Sequence, residues 1–173
     1  MKGVIIQGSS RNDGNTKKIV EQVRDKSGFD LIELSDKNIG PFDYDFANSD
    51  DDFLPLMRHI VEHYDLIIFA TPVYWYSMSG ILKNFFDRIT DCLQLEKETG
   101  RQLRGKMMAM ISCGSDVHLD EAFKTPFKSS ADYLGMHYLG DVHTWIKNKE
   151  IPKDVEHHID LFLNKLINST EMV

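Results

Sequence analysis

The stretch Ser9-Ser10-Arg11-Asn12-Asp13-Gly14-Asn15-Thr16, preceded by the apolar run Val4-Ile5-Ile6 and by Gly8, decides how this chain is read. The apolar run has the length and β-branched content of a buried strand. After the loop, Ile19, Val20 and Val23 recur at helical spacing among Lys17, Lys18, Glu21, Gln22 and Arg24, which predicts a helix from about Asn15 or Thr16. The loop therefore joins a strand to a helix. Hydroxyls of Ser9, Ser10 and Thr16, the amide of Asn15, the cation of Arg11 and the free N–H groups of a helix N-terminus converge where a phosphate can sit. Taken alone, the same residues fit equally well a strand-to-helix turn with a Ser or Asn cap and no ligand.

What the loop lacks narrows the choice. A Walker loop needs four residues between its glycines and then Lys-Ser/Thr, whereas five separate Gly8 from Gly14 and Asn15 stands in the lysine's place. A dinucleotide fingerprint needs a second glycine two residues after the first, and Ser10 occupies that position. A hydroxyl-rich loop with one arginine suits instead the terminal phosphate of a mononucleotide.

The chain of 173 residues fits a single domain with a sizeable core. Its hydrophobic fraction of 42%, charged fraction of 27% and net charge of -7 describe a soluble globular protein, and the acidity argues against a nucleic-acid surface. The longest apolar stretch, Leu66 to Tyr76, is broken by Thr71 and Pro72, so neither a membrane span nor a signal peptide is expected, and a cytoplasmic setting is. Cys92 and Cys113 stand far apart, which supports neither a disulfide framework nor an iron–sulfur or zinc site.

Further along, Asp30 to Ser35 reads as a second strand, and a loop carrying Gly40-Pro41 leads to Asp50-Asp51-Asp52. These carboxylates read better as the start of a helix bearing Phe53, Leu54, Met57, Ile60 and Val61 than as metal ligands. His59 and His63, one turn apart on it, read as a solvated face. Leu66-Ile67-Ile68-Phe69-Ala70 is the strongest strand signal, continuous and apolar as in a parallel sheet covered on both faces. Pro72 is expected to stop that strand. Tyr74, Trp75 and Tyr76 then stand in a strand-end loop, where they either roof the core or wall a flat heteroaromatic ring.

Ser79 can cap the next helix, in which Ile81, Leu82, Phe85, Phe86 and Ile89 outnumber one buried stripe, with Lys83, Asp87 and Arg88 on another side. The surplus predicts contact with a second subunit. Leu93 to Gly105 reads as a charged surface loop. A fourth strand, Lys106 to Ser112, ends in Cys113-Gly114-Ser115-Asp116, a further polar strand-end loop in which Cys113 reads as a packing residue rather than a nucleophile. A helix from about Leu119, kinked at Thr125-Pro126, places His118 at its start. A fifth strand from Met136 towards Thr144 and a helix from about Pro152 complete the alternation. The pattern predicts an α/β three-layer sandwich, a five-stranded parallel sheet in order 2-1-3-4-5 with helices on both faces, in which the first and third strand-end loops share one crevice.

At this point the sequence resembles the flavodoxin-like NAD(P)H-dependent FMN reductases and related NAD(P)H oxidoreductases. The resemblance rests on Gly8-Ser9-Ser10-Arg11-Asn12-Asp13-Gly14-Asn15-Thr16, similar to the family's phosphate loop, and on Thr71-Pro72-Val73-Tyr74-Trp75 with Gly80, Leu82-Lys83, Phe85 and Asp87-Arg88, similar to its P-x-Y loop and following helix. It implies that Ser9, Arg11, Asn15 and Thr16 hold the phosphate of FMN. It also implies that Pro72, Val73, Tyr74, Trp75, Tyr76 and Ser77, with Ser112, Cys113, Gly114 and Ser115, line the isoalloxazine. The activity implied is hydride transfer from NAD(P)H to FMN and on to a small acceptor such as a quinone or flavin, with no catalytic side chain named. Implied partners are that acceptor and a second copy of the chain, as a dimer or tetramer, with no nucleic acid and no membrane. The other reading is a flavodoxin-type carrier that binds FMN without oxidising a nicotinamide.

Overall fold

The computed structural model describes residues 1–169. Five strands, β1 (Gly3–Gln7), β2 (Asp30–Glu33), β3 (Leu66–Pro72), β4 (Met107–Gly114) and β5 (His137–Trp145), form one parallel sheet in the order β2-β1-β3-β4-β5. The helices are α1 (Asn15–Ser27), α2 (Phe53–His63), α3 (Gly80–Gln94), the short α4 (Lys97–Arg101), α5 (Thr125–Leu134) and α6 (Lys153–Ser169). Sheet order and layers are those expected.

The uninterrupted apolar runs follow from burial on both faces. Ile67 and Phe69 of β3 pack with Met57, Phe85 and Phe127 on the α2, α3 and α5 side, while Leu66, Ile68 and Ala70 pack with Ile19, Val23 and Phe162 on the α1 and α6 side. Period-two alternation along one all-apolar strand thus feeds two cores. On the first side Phe85 sits edge-on to Phe53 at 5.2 Å, an arrangement that adds about 0.5–1.5 kcal/mol beyond the area buried.

Several expectations change, beginning with β2, which stops at Glu33 where a 3-10 turn over Leu34–Asp36 takes over. β3 runs through Pro72, which pairs in register with Cys113. The Val73 N–H donates to the Cys113 carbonyl, so Pro72 faces the β1 side, where β1 has already ended and no donor is missed. Leu93 to Gly105 is not a surface loop throughout: α3 continues to Gln94, and Thr99, Gly100 and Leu103 are buried. A Cβ on Gly100 would lie 2.9 Å from the Cys92 carbonyl, a closeness only glycine allows. No helix begins at Leu119; residues 115–120 are irregular, a 3-10 turn spans Glu121–Lys124, and α5 starts at Thr125 with Pro126 in its first turn.

Arg88, placed by the sequence with Lys83 and Asp87, is buried. It bonds Asp51 at 2.6 Å and Asp91 at 2.7 Å and donates to the carbonyls of Gly40 and Asn48, clamping the loop between β2 and α2 onto α3. Burial opposes the Asp51 charge, but hydrogen bonds from Arg88 and from the Phe53 and Gly40 N–H groups outweigh it and hold the carboxyl below its usual range.

Candidate functional site

The crevice lies at the C-terminal ends of β1, β3 and β4, where the sheet order reverses. Its geometry depends on Ser79, which is buried and joins three elements. The Ser79 N–H donates to Thr71 Oγ1 at 3.0 Å, its Oγ accepts from the Leu82 N–H at 3.2 Å, and the same hydroxyl donates to the Gly8 carbonyl. Gly8 is required at that junction, since a Cβ there would lie 2.5 Å from Leu82 Cβ. The loop after β1 therefore leaves the sheet from a fixed point against the start of α3.

From there the chain enters α1 with Gly14 as its N-cap, in extended conformation and with no side chain capping the helix. The leading N–H groups of α1 are thus left for an outside acceptor, beside the positive end of the helix dipole. Ser9 Oγ accepts from the Arg11 N–H at 3.3 Å, which curls the loop, while Asn12 is turned away and held by Ser35 and Asp36. A cavity of about 660 Å³ results, lined by Ser9, Ser10, Arg11, Asp13, Gly14, Asn15 and Thr16 from the first loop and by Pro72, Val73, Tyr74, Cys113, Gly114 and Ser115 from the other two. Burial pushes the Cys113 thiol up, against hydrogen bonds with Thr144 and Thr16. A buried thiol raised in this way offers little thiolate, as suits a packing residue.

The remaining candidate residues fall outside that cavity. Ser112 is buried beneath it; Ser77 is exposed and pairs with Tyr74 through two backbone hydrogen bonds, at 2.9 and 3.0 Å. The two residues between, Trp75 and Tyr76, have φ of 48° and 61°, so this tight turn places two large aromatics where glycine or asparagine is normal. That costs about 1–2 kcal/mol per residue. Both rings are held out to solvent, Trp75 at 94% exposure. They line a second cavity of about 440 Å³, which shares Val73, Gly114 and Ser115 with the first and is completed by Asp116, His118, Leu119, Asp120 and Phe123.

Sequence reasoning missed His143 and set His118 aside. His143, on β5, donates from Nε2 to the Asp116 carbonyl at 3.0 Å, which leaves Nδ1 to accept from the Ser112 hydroxyl at 2.8 Å. Burial lowers its pKa, consistent with this neutral tautomer. Its ring fixes the loop after β4, and Gly114 makes room for it, since a Cβ there would meet His143 Cε1 at 2.9 Å. The signal was the glycine beside the strand end, which required a close neighbour without saying which.

Residues 1–150 match the family described as NADPH-dependent FMN reductase. A putative NAD(P)H-dependent FMN-containing oxidoreductase, YwqN, of Bacillus subtilis is 32% identical over 126 residues, 67% of this chain and 68% of that one. Among solved structures, the Trp repressor binding protein of Bacillus subtilis superposes with a TM-score of 0.72 at 24% identity, covering 95% of this chain and 97% of that one. General stress protein 14 of Treponema denticola, solved in complex with FMN, gives 0.69 at 18% identity, covering 97% and 99%. At these identities the solved structures speak for the fold.

Proposed function

The chain belongs to the NADPH-dependent FMN reductase family, and on that premise we propose that it is an FMN-dependent NAD(P)H oxidoreductase delivering electrons to a small conjugated acceptor such as a quinone or a flavin. The observation that carries the reading is the crevice: an uncapped helix N-terminus, hydroxyls and one guanidinium at one end, and an aromatic strand-end loop at the other. Its residues fit FMN. The first cavity falls within the roughly 300–1,000 Å³ of small-molecule sites. Ser9, Arg11, Asn15 and Thr16 bind the phosphate with the N–H groups at the start of α1. Pro72, Val73 and Tyr74 on one side and Cys113, Gly114 and Ser115 on the other would flank the ring, with Cys113 as a small packing residue and Tyr74 as a wall, while Trp75, Tyr76, Ser77 and Ser112 stand outside that cavity.

When bound, FMN supplies the redox chemistry, taking a hydride from the nicotinamide and yielding two electrons to the acceptor. The chain's part is to bind and orient. Ser79 and Gly8 fix the phosphate loop, His143 fixes the loop after β4, and neither loop needs a side chain that moves a proton. The chain lacks a dinucleotide fingerprint, so a nicotinamide would have to be met at the open side of the crevice. We further assign residues 1–173 to one domain in a cytoplasmic setting, working as a homodimer. The apolar groove where Phe86, Ile89 and Leu93 of α3 meet Tyr133 of α5 supports the pairing, and a monomer in sedimentation at micromolar concentration would remove it.

The functional test is steady-state consumption of NADPH and NADH by the FMN-loaded protein across a panel of quinones and flavins. Turnover with parallel initial-rate lines is expected. No turnover with any acceptor at full FMN occupancy would leave an electron carrier.

A further inference from the structure

Resting on the FMN reading above, we infer that the second cavity is the acceptor's subsite and that it selects flat, positively charged conjugated oxidants over anionic ones. The cavity opens from the FMN crevice through shared walls, Val73, Gly114 and Ser115, so an occupant lies against the same strand ends as the flavin ring. One side of it is the pair of solvent-exposed rings on the turn after β3, Trp75 and Tyr76. The irregular segment after β4 also lines it, bringing the carboxylates of Asp116 and Asp120 and the imidazole of His118, so two carboxylates face one histidine and no lysine or arginine is among the lining residues.

Both carboxylates are held in place by their own chain. Asp116 Oδ1 accepts the His118 N–H at 2.9 Å, and its Oδ2 accepts the Ser115 hydroxyl. Asp120 Oδ1 accepts the Ala122 N–H at 2.8 Å. Neither is joined to a cation by an ion pair among the described residues, whereas the nearby Lys124 is taken up by Glu121 and Asp141. The charges therefore remain for a ligand. Aromatic faces attract cations through the ring quadrupole, and carboxylates across the same space add to that attraction. An anionic acceptor meets repulsion from both carboxylates.

The redox balance suits this choice. A cationic ring that gains a hydride equivalent, two electrons and one proton from the reduced flavin, leaves as a neutral product, and the flavin returns to its oxidised form. The carboxylates that draw the oxidant in then have no charge to hold on the product.

The test separates the half-reactions. FMN-loaded protein is reduced with dithionite, so that nicotinamide chemistry is not involved, and mixed anaerobically with a phenothiazinium dye or with a sulfonated quinone of similar size and potential. The cation is expected to react faster, by about tenfold at low salt, with the difference shrinking as ionic strength rises. D116N/D120N, in which asparagine keeps an acceptor for each N–H group, is expected to lower the cation rate by about fivefold and to raise the anion rate. E62Q/D25N removes the same net charge at exposed positions away from the cavity and is expected to leave the ratio as it was. Equal rates for the two dyes, or the same change in both double variants, would overturn the inference. A protein that passes this test yet is not reduced by NADPH or NADH would contradict the reductase reading alone, and one that fails it while NAD(P)H still reduces the flavin would contradict this inference alone.

Discussion

Ser79→Ala removes a single buried hydroxyl at the point where β1, β3 and α3 meet. Two bonds go with it: the cap to the Leu82 N–H and the donation to the Gly8 carbonyl, while the Ser79 N–H keeps Thr71. Loss of an N-cap side chain costs about 0.5–2 kcal/mol. A buried carbonyl left without its donor costs about 1–3 kcal/mol. The two groups belong to one hydroxyl and relax together, so a total of about 2–4 kcal/mol is expected rather than the full sum. Urea unfolding of the FMN-free variant reads this as a lower midpoint at unchanged slope. Because Gly8 sets where the phosphate loop leaves the sheet, FMN and riboflavin should both bind more weakly. A loss below about 0.5 kcal/mol, the scale of an ordinary surface substitution, would refute the view that Ser79 ties the crevice together.

Arg11→Ala should separate the two ligands instead: an exposed guanidinium in charge-assisted contact with phosphate is worth about 1.5 kcal/mol, roughly tenfold in FMN affinity with riboflavin unchanged, and equal losses by calorimetry would place Arg11 elsewhere. Asp51→Asn breaks one arm of the buried Arg88 pair and should cost about 3 kcal/mol at neutral pH. Since the Asp51 carboxyl lies below its usual range in the folded chain, its stabilisation is full above the unfolded value near pH 4 and is lost as pH falls through the lower folded value. Urea midpoints for wild type should therefore drop more steeply than for Asp51→Asn across that acid window, and identical slopes would show that Asp51 is not ionised in the pair.

The sheet was legible because its three central strands, β1, β3 and β4, had to be apolar on both faces and its crossover helices amphipathic. Those patterns are local, and Val4 to Ile6 and Leu66 to Ala70 carry them without interruption. What local pattern could not carry was any contact made across the fold. Arg88 sat with Lys83 and Asp87 in the helical pattern, and only the loop from β2, folding back to present Asp51, makes it a buried clamp. Leu93 to Gly105 looked solvated because its charges are plain, while the close approach of Gly100 to Cys92 is not. At the site, the cavity-lining loop after β1 could be picked out because its polar residues lie in one short stretch, Ser9 to Thr16. The second cavity could not, because a helix was expected from about Leu119 with His118 at its start, whereas Asp116 and Asp120 bind the backbone two residues on and keep the segment open. His143 reaches Ser112 from a different strand, at a distance no spacing rule records.

If the protein works as proposed, this crevice holds FMN with a face that a nicotinamide can reach. Anaerobic stopped-flow mixing of the oxidised, FMN-loaded protein with excess NADPH, and separately with NADH, tests it most directly. The expected result is loss of the oxidised flavin absorbance in a single phase whose rate saturates with at least one of the two nucleotides. Full FMN occupancy with no reduction by either nucleotide over minutes would contradict it.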